Sequence, residues 1–297
     1  MQTELTQSGP LLQPDGQLSQ IGWSRHALLD CNLESARFYA MRPLQRFRIK
    51  RWDYYAVFSP RRFFSATIAD LGYAGNLFVY TMDFTTGDLH EEGLVIPFGN
   101  GIQLPRNSDS GDSHFADKRL KLDFSLRPGC RHLSVAWPEF HGGRGIRAEI
   151  DLVVAPQYES MNITIPIGAK RFYYNHKMNC MPASGTVHYG DLTDQLDPAT
   201  CSGSLDWGRG VWEYRSFWNW ASASSRRPCR RSASPKCRRA RALFFVTATA
   251  WVNNVSSSRQ NRNWRSVPSK HPPNIKIPMT AAVTFPNREC PAQSAIP

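Results

Sequence analysis

The chain has 297 residues, 41% of them hydrophobic and 20% charged, which excludes a wholly disordered protein and allows one large domain or two medium ones. Its net charge of +12 is unevenly placed. Residues 226–297 hold 14 Lys and Arg against one acid, Glu289, so residues 1–225 hold 36 − 14 = 22 basic and 24 − 1 = 23 acidic groups. A basic surface over the whole molecule is thereby excluded, and nucleic-acid contact is expected at most through the run Arg226–Arg241.

No stretch approaches the roughly 18 consecutive apolar residues of a membrane span. The first residues, Met1-Gln-Thr-Glu-Leu-Thr-Gln-Ser, lack the basic region and apolar run of a secretory leader. Seven scattered cysteines, an odd number with no Cys-x-x-Cys, fit reduced thiols and a cytoplasmic location better than a disulfide framework or structural zinc. The eight histidines show no metal-ligand spacing, so no metal is expected. No dinucleotide fingerprint, phosphate loop or Gly-x-Ser-x-Gly elbow occurs, and no cofactor is expected.

In chain order, residues 1–22 read as a flexible lead with turn formers at Gly9-Pro10 and Pro14-Asp15-Gly16. Residues 27–40 are compatible with a helix or an irregular lead-in. Strand signals then dominate: residues 46–58, 63–71 and 76–84 are rich in aromatic and β-branched side chains and punctuated by glycine. Leu94–Phe98 is followed by a polar loop over 105–113. In 119–126, Leu120, Leu122, Phe124 and Leu126 share one face by strict alternation. Residues 132–137, 147–154 and 160–167 continue the pattern, with a tight loop at His141-Gly-Gly-Arg-Gly145 between them. Many short strands at such spacing predict an all-β barrel or sandwich. A domain seam is expected in the polar-aromatic stretch 170–180, and Gly185–Gly190 reads as a strand of a second unit.

Ser202–Ser224 interleaves four of the nine tryptophans with Asp206, Arg209, Glu213 and Arg215. Asp206 and Arg209 are the candidate catalytic pair, a buried ion pair able to orient a ligand or move a proton. With Val211–Ser222 taken as a strand, Trp212, Tyr214, Trp218 and Trp220 share one face. Together with Trp207 they are candidate ligand-binding residues, offering apolar surface with a few fixed polar groups. Tyr54 and Tyr55, beside Asp53 and near Asp70, form a second polar-aromatic set and join the candidate ligand-binding list. Each group also has a bland reading, an Asp–Arg bridge fixing a turn or plain core packing.

Arg51-Trp-Asp-Tyr-Tyr55, Thr67–Tyr73, Met178–Val187, Leu205-Asp-Trp-Gly-Arg-Gly-Val-Trp212 and Phe217–Ser224 resemble the family named domain of unknown function 2804, over roughly residues 20–224. More distantly, the order of Met-Pro, Asp-Trp-Gly and Trp-x-Trp is similar to the carotenoid hydratase and lipocalin-type Diels–Alderase superfamily. That resemblance implies two lipocalin-like antiparallel β-barrels, here 23–172 and from 173 to 225; since 225 − 173 + 1 = 53 residues fall short of the roughly 80 a barrel needs, the second is expected to be incomplete. It implies binding of an apolar small molecule, with hydratase-, cyclase- or isomerase-like non-redox chemistry as the enzymatic form. A non-catalytic carrier or structural protein is the alternative.

Residues 226–297 read as a disordered basic tail with at most one strand near Leu243–Val252. Read two nucleotides out of frame, Val246–Val255 allows Asp-Gly-His-Arg-Leu-Gly-Glu-Gln-Arg, a turn-and-strand segment of the kind the family resemblance implies. The tail is therefore expected to be frameshifted.

Overall fold

The computed structural model describes residues 3–212, together with the backbone of Ala223–Ser225 and Arg241–Leu243. Three short strands open the chain, β1 (Gly9–Pro10), β2 (Gly22–Ser24) and β3 (Leu29–Asp30), with 3-10 turns at Leu33–Ser35 and Arg42–Phe47. Longer strands follow: β4 (Ile49–Phe58), β5 (Arg62–Asp70), β6 (Ala74–Asp83) and β7 (Leu89–Pro97). Then come β8 (Ser113–Ala116), β9 (Lys121–Arg127), β10 (Cys130–Trp137), β11 (Ile146–Val153) and β12 (Met161–Gly168). The last strands here are β13 (Arg171–Tyr189), β14 (Leu192–Leu196) and β15 (Ser202–Val211). The alternating segments of the sequence are thus strands, as their period-two pattern predicts.

One large curled sheet results, forming a half-barrel. Its main path is β7-β6-β5-β4-β15-β13-β11-β10-β9-β8, with β12, β14 and β2 attached at its side. β4 to β7, β8 to β11 and β12 to β14 pair in sequence as antiparallel hairpins, whereas β15 inserts between β4 and β13. The inward faces of the two limbs meet in one core: Ile68, Leu77 and Val79 from one side, Leu122, Leu133, Val135, Ile150 and Leu152 from the other, all fully buried. Ala223–Ser225 pairs antiparallel with Arg241–Leu243 outside this sheet.

β13 carries the curl. Its first half pairs with β12 and β15, its second with β11 and β14. Its register shifts between Met178 and Met181, where Cys180 takes φ of 60°. The bulge bends the strand and lets one segment serve both limbs. The expected boundary at 172/173 falls inside this strand.

The lead is docked, which differs from the flexible segment expected. Leu11 and Leu12 are at most 1% exposed, β1 pairs with β3, and β2 pairs with β12. Burial of two adjacent leucines, about 1.5–3 kcal/mol each, offsets the entropy of ordering this polar stretch. Residues 27–40 hold β3 and the 3-10 turn Leu33–Ser35, with no α-helix. The remainder expected of a second barrel and the basic run lie outside the described residues.

Candidate functional site

The neighbours β4, β15 and β13 have two faces, and strand alternation assigns each side chain to one of them. Lys50, Trp52, Tyr54, Ala56, Ser204, Asp206, Gly208, Gly210, Tyr173 and Lys177 lie on the outer face. Ile49, Arg51, Asp53, Tyr55, Leu205, Trp207, Arg209, Tyr174 and His176 lie on the core side.

Outward, Asp206 stands opposite Tyr54 on β4 and Lys177 on β13. Lys177 Nζ donates to Asp206 Oδ2 at 2.5 Å, and Trp52 Nε1 donates to Oδ1 at 3.4 Å. The Asp206 and Lys177 side chains are 9% and 12% exposed, so the pair is largely withdrawn from water. Trp52, Tyr173 and Trp212 form a three-ring cluster beside it, with centroid separations of 5.8, 5.2 and 5.1 Å.

The Asp-Trp-Gly-Arg-Gly spacing explains why the rings fit. A Cβ at Gly208 would come within 2.2 Å of Trp52 Cζ2, and one at Gly210 within 2.8 Å of the Trp212 ring. The bare backbone of β15 is the floor on which the indoles lie. Arg48 donates to the Trp212 carbonyl and ties the end of β15 to the start of β4.

Hydroxyls complete this face. Tyr54 and Tyr80 lie 3.0 Å apart at their oxygens. Burial, then the neighbouring Tyr80, pushes the Tyr54 phenol well above its ordinary range; burial and the Asp206 carboxylate do the same to Tyr173. Both therefore stay protonated as potential donors at neutral pH. Thr67 and Ser204, each 2% exposed, carry hydroxyls with no hydrogen-bond partner among the described residues. Such groups are rare in a settled core and cost about 1–3 kcal/mol each.

On the core side, Arg209 donates to Asp53 Oδ1 at 2.8 Å and to the carbonyls of Trp52, Gly208 and Pro105, while Ser113 donates to the other Asp53 oxygen. Trp207 is 1% exposed, edge-on to Tyr174 at 5.4 Å and 4.1 Å from the Arg209 guanidinium carbon. Tyr55 accepts from Arg131 and packs on Phe124.

The expected Asp206–Arg209 pair therefore does not form. Three residues apart on a strand, the two side chains point to opposite faces, and each finds its own partner. Asp206, Trp212 and Tyr54 are brought together; Arg209, Trp207 and Tyr55 are in the core. Tyr214, Trp218 and Trp220 lie outside the described residues. Lys177, Trp52 and Tyr173 were missed. Gly208 and Gly210 are the signal that something large crosses β15, but which side chain does so depends on strand order.

No group of three or more His, Cys, Asp or Glu side chains suited to a metal ion occurs among the described residues. No helix among them is long and apolar enough to cross a membrane.

The chain matches the family described as domain of unknown function (DUF2804) over residues 2–232. It belongs to that family. No curated protein matches the chain. Among solved structures it is similar to kievitone hydratase from Nectria haematococca, at 11% identity and a TM-score of 0.35. That similarity covers 60% of this chain and 52% of the other, so the chain spans about half the length of that protein.

Proposed function

We propose that the outer face of β4, β15 and β13 binds an apolar, ring-bearing small molecule and that Asp206 and Lys177 act on its polar group. The observation that carries this reading is the largely buried Asp206–Lys177 pair beside the Trp52–Tyr173–Trp212 rings. Aromatic faces supply apolar contact, and the tyrosine phenols with the Thr67 and Ser204 hydroxyls supply a few fixed polar partners. A carboxylate and an ammonium sharing a proton can give it to one ligand atom and withdraw it from another, as a non-redox hydration, dehydration or isomerisation requires. In this reading the face is a wall of a second lipocalin-like unit, back to back with the first.

Tryptophan fluorescence titrated with neutral aromatic alcohols and polyenes tests the proposal. Saturable quenching is expected, weakened at least tenfold by Trp52→Ala and by Trp212→Ala. Quenching indifferent to both substitutions would sink it. Asp206→Asn then separates enzyme from carrier: retained binding with lost turnover means catalysis, and absence of turnover in the unsubstituted protein means a carrier.

A further inference from the structure

At one end of β4, on the opposite side of the sheet from Asp206, lies a cleft of about 640 Å³. This is within the range of about 300–1,000 Å³ that holds small ligands. Ile49 and Arg51 of β4 line it together with the 3-10 turn Arg42–Phe47, and Leu33, Pro43 and Phe98 supply apolar wall.

Three arginines line this cleft, Arg42, Arg46 and Arg51, with two acidic residues, Glu34 and Asp70. Asp70 is saturated: Oδ2 accepts from Arg51 Nη2 at 2.5 Å and Oδ1 from the Gly72 amide at 2.7 Å. Glu34 is turned to Arg106, which donates to it at 2.9 Å. Arg42 and Arg46 have no ion-pair partner among the described residues, although Arg46 lies 5.2 Å over the Phe47 ring.

The turn that presents the arginines is held on both sides. Buried Gln45 accepts from the Phe38 and Tyr39 amides at 2.7 and 2.9 Å and donates to the Tyr39 and Met41 carbonyls. Gly72, with φ of 83°, presses so closely on the turn that a Cβ would stand 1.9 Å from the Arg46 carbonyl oxygen. Two clamps fix the backbone beneath Arg42 and Arg46, which lowers the entropy lost when an anion is bound.

We infer that this cleft binds an amphiphilic monocarboxylate, with its head on Arg42 and Arg46 and its tail against Leu33, Pro43 and Ile49. Guanidinium forks match carboxylate geometry, and the apolar wall offers contact to a tail. This site is independent of the outer face, since it uses other residues on the other side of β4.

Calorimetric titration of the full chain with decanoate, decanol and acetate tests the inference. Decanoate should bind at least tenfold tighter than either decanol or acetate, and added salt should weaken it. The double variant Arg42→Ala/Arg46→Ala should lose tenfold or more, and Arg42→Lys/Arg46→Lys should recover part of the loss, while near-UV circular dichroism stays unchanged in both. Decanol binding as tightly as decanoate would overturn the inference, as would a double alanine variant within twofold of the parent. Loss of decanoate binding in Asp206→Asn with retention in the double alanine variant would place the ligand on the outer face and also overturn it.

Discussion

The two faces of β4, β15 and β13 each hold a buried acid–base pair, and the contrast between them sets the framework against the proposed site. Asp53 and Arg209 are 4% and 0% exposed, and Arg209 is further bonded to three backbone carbonyls while Ser113 completes Asp53. Both Asp53 oxygens and both terminal nitrogens of Arg209 are bonded, while Arg209 Nε and the indole N–H of Trp207 beside it have no partner among the described residues. Asp206 and Lys177 are slightly more open and lie beside the Trp52, Tyr173 and Trp212 rings. A pair tied to backbone carbonyls holds strands and a loop to a core, and the proposed reading gives the other pair the ligand.

The largest expected effect falls on the framework side. Asp53→Ala should cost about 3–5 kcal/mol in urea denaturation, because Arg209 is left charged and buried. A loss below 1 kcal/mol would show that the two pairs are not different in kind. Next comes pH. His176, on the core side opposite Trp207, is pushed down to about 3 by burial, with Arg131 and His26 adding to the shift. The unfolded chain takes up that proton near 6.5, so folded-state stability is full above about pH 6.5 and falls as the pH drops toward 3. The slope approaches 1.4 kcal/mol per pH unit for this one group. Denaturation midpoints measured between pH 7 and 4.5 should show a component of about 2–3 kcal/mol that His176→Gln removes.

Smaller effects belong to the outer face. Gly208→Ala should drive Trp52 from its place and cost about 1–3 kcal/mol. Near-UV circular dichroism should register the displaced indole, and an unchanged spectrum would mean that the floor of β15 is not what seats the rings. Asp206→Asn should be the mildest for stability, below about 2 kcal/mol, because the amide keeps an oxygen that can accept from Lys177. Its consequence should appear in ligand binding or turnover instead. A stability loss equal to that of Asp53→Ala would merge the two pairs into one structural class.

Much of the fold was legible because strand formation is local in its cause. Leu120, Leu122, Phe124 and Leu126 alternate, and that alternation is visible without any partner strand. The bend in β13 was not: Lys170–Cys180 carries polar and aromatic residues that read as a seam, and there one strand bends and passes from β15 and β12 to β11 and β14. Asp206 was legible as a candidate, and strand period alone would have separated it from Arg209. Lys177 was not, because it is 29 residues away and meets Asp206 only when β15 pairs with β13.

By itself, the sequence determined the all-β character, most strand positions, the bare glycine floor of β15 and the concentration of tryptophan around it. These follow from residue shape and the period of two, which act within a few neighbours. Tertiary structure alone decided which carboxylate meets which cation and which rings come together. The insertion of β15 between β4 and β13 sets those contacts, and sheet order is a competition among distant segments for the same backbone hydrogen bonds and buried area, which no local pattern encodes.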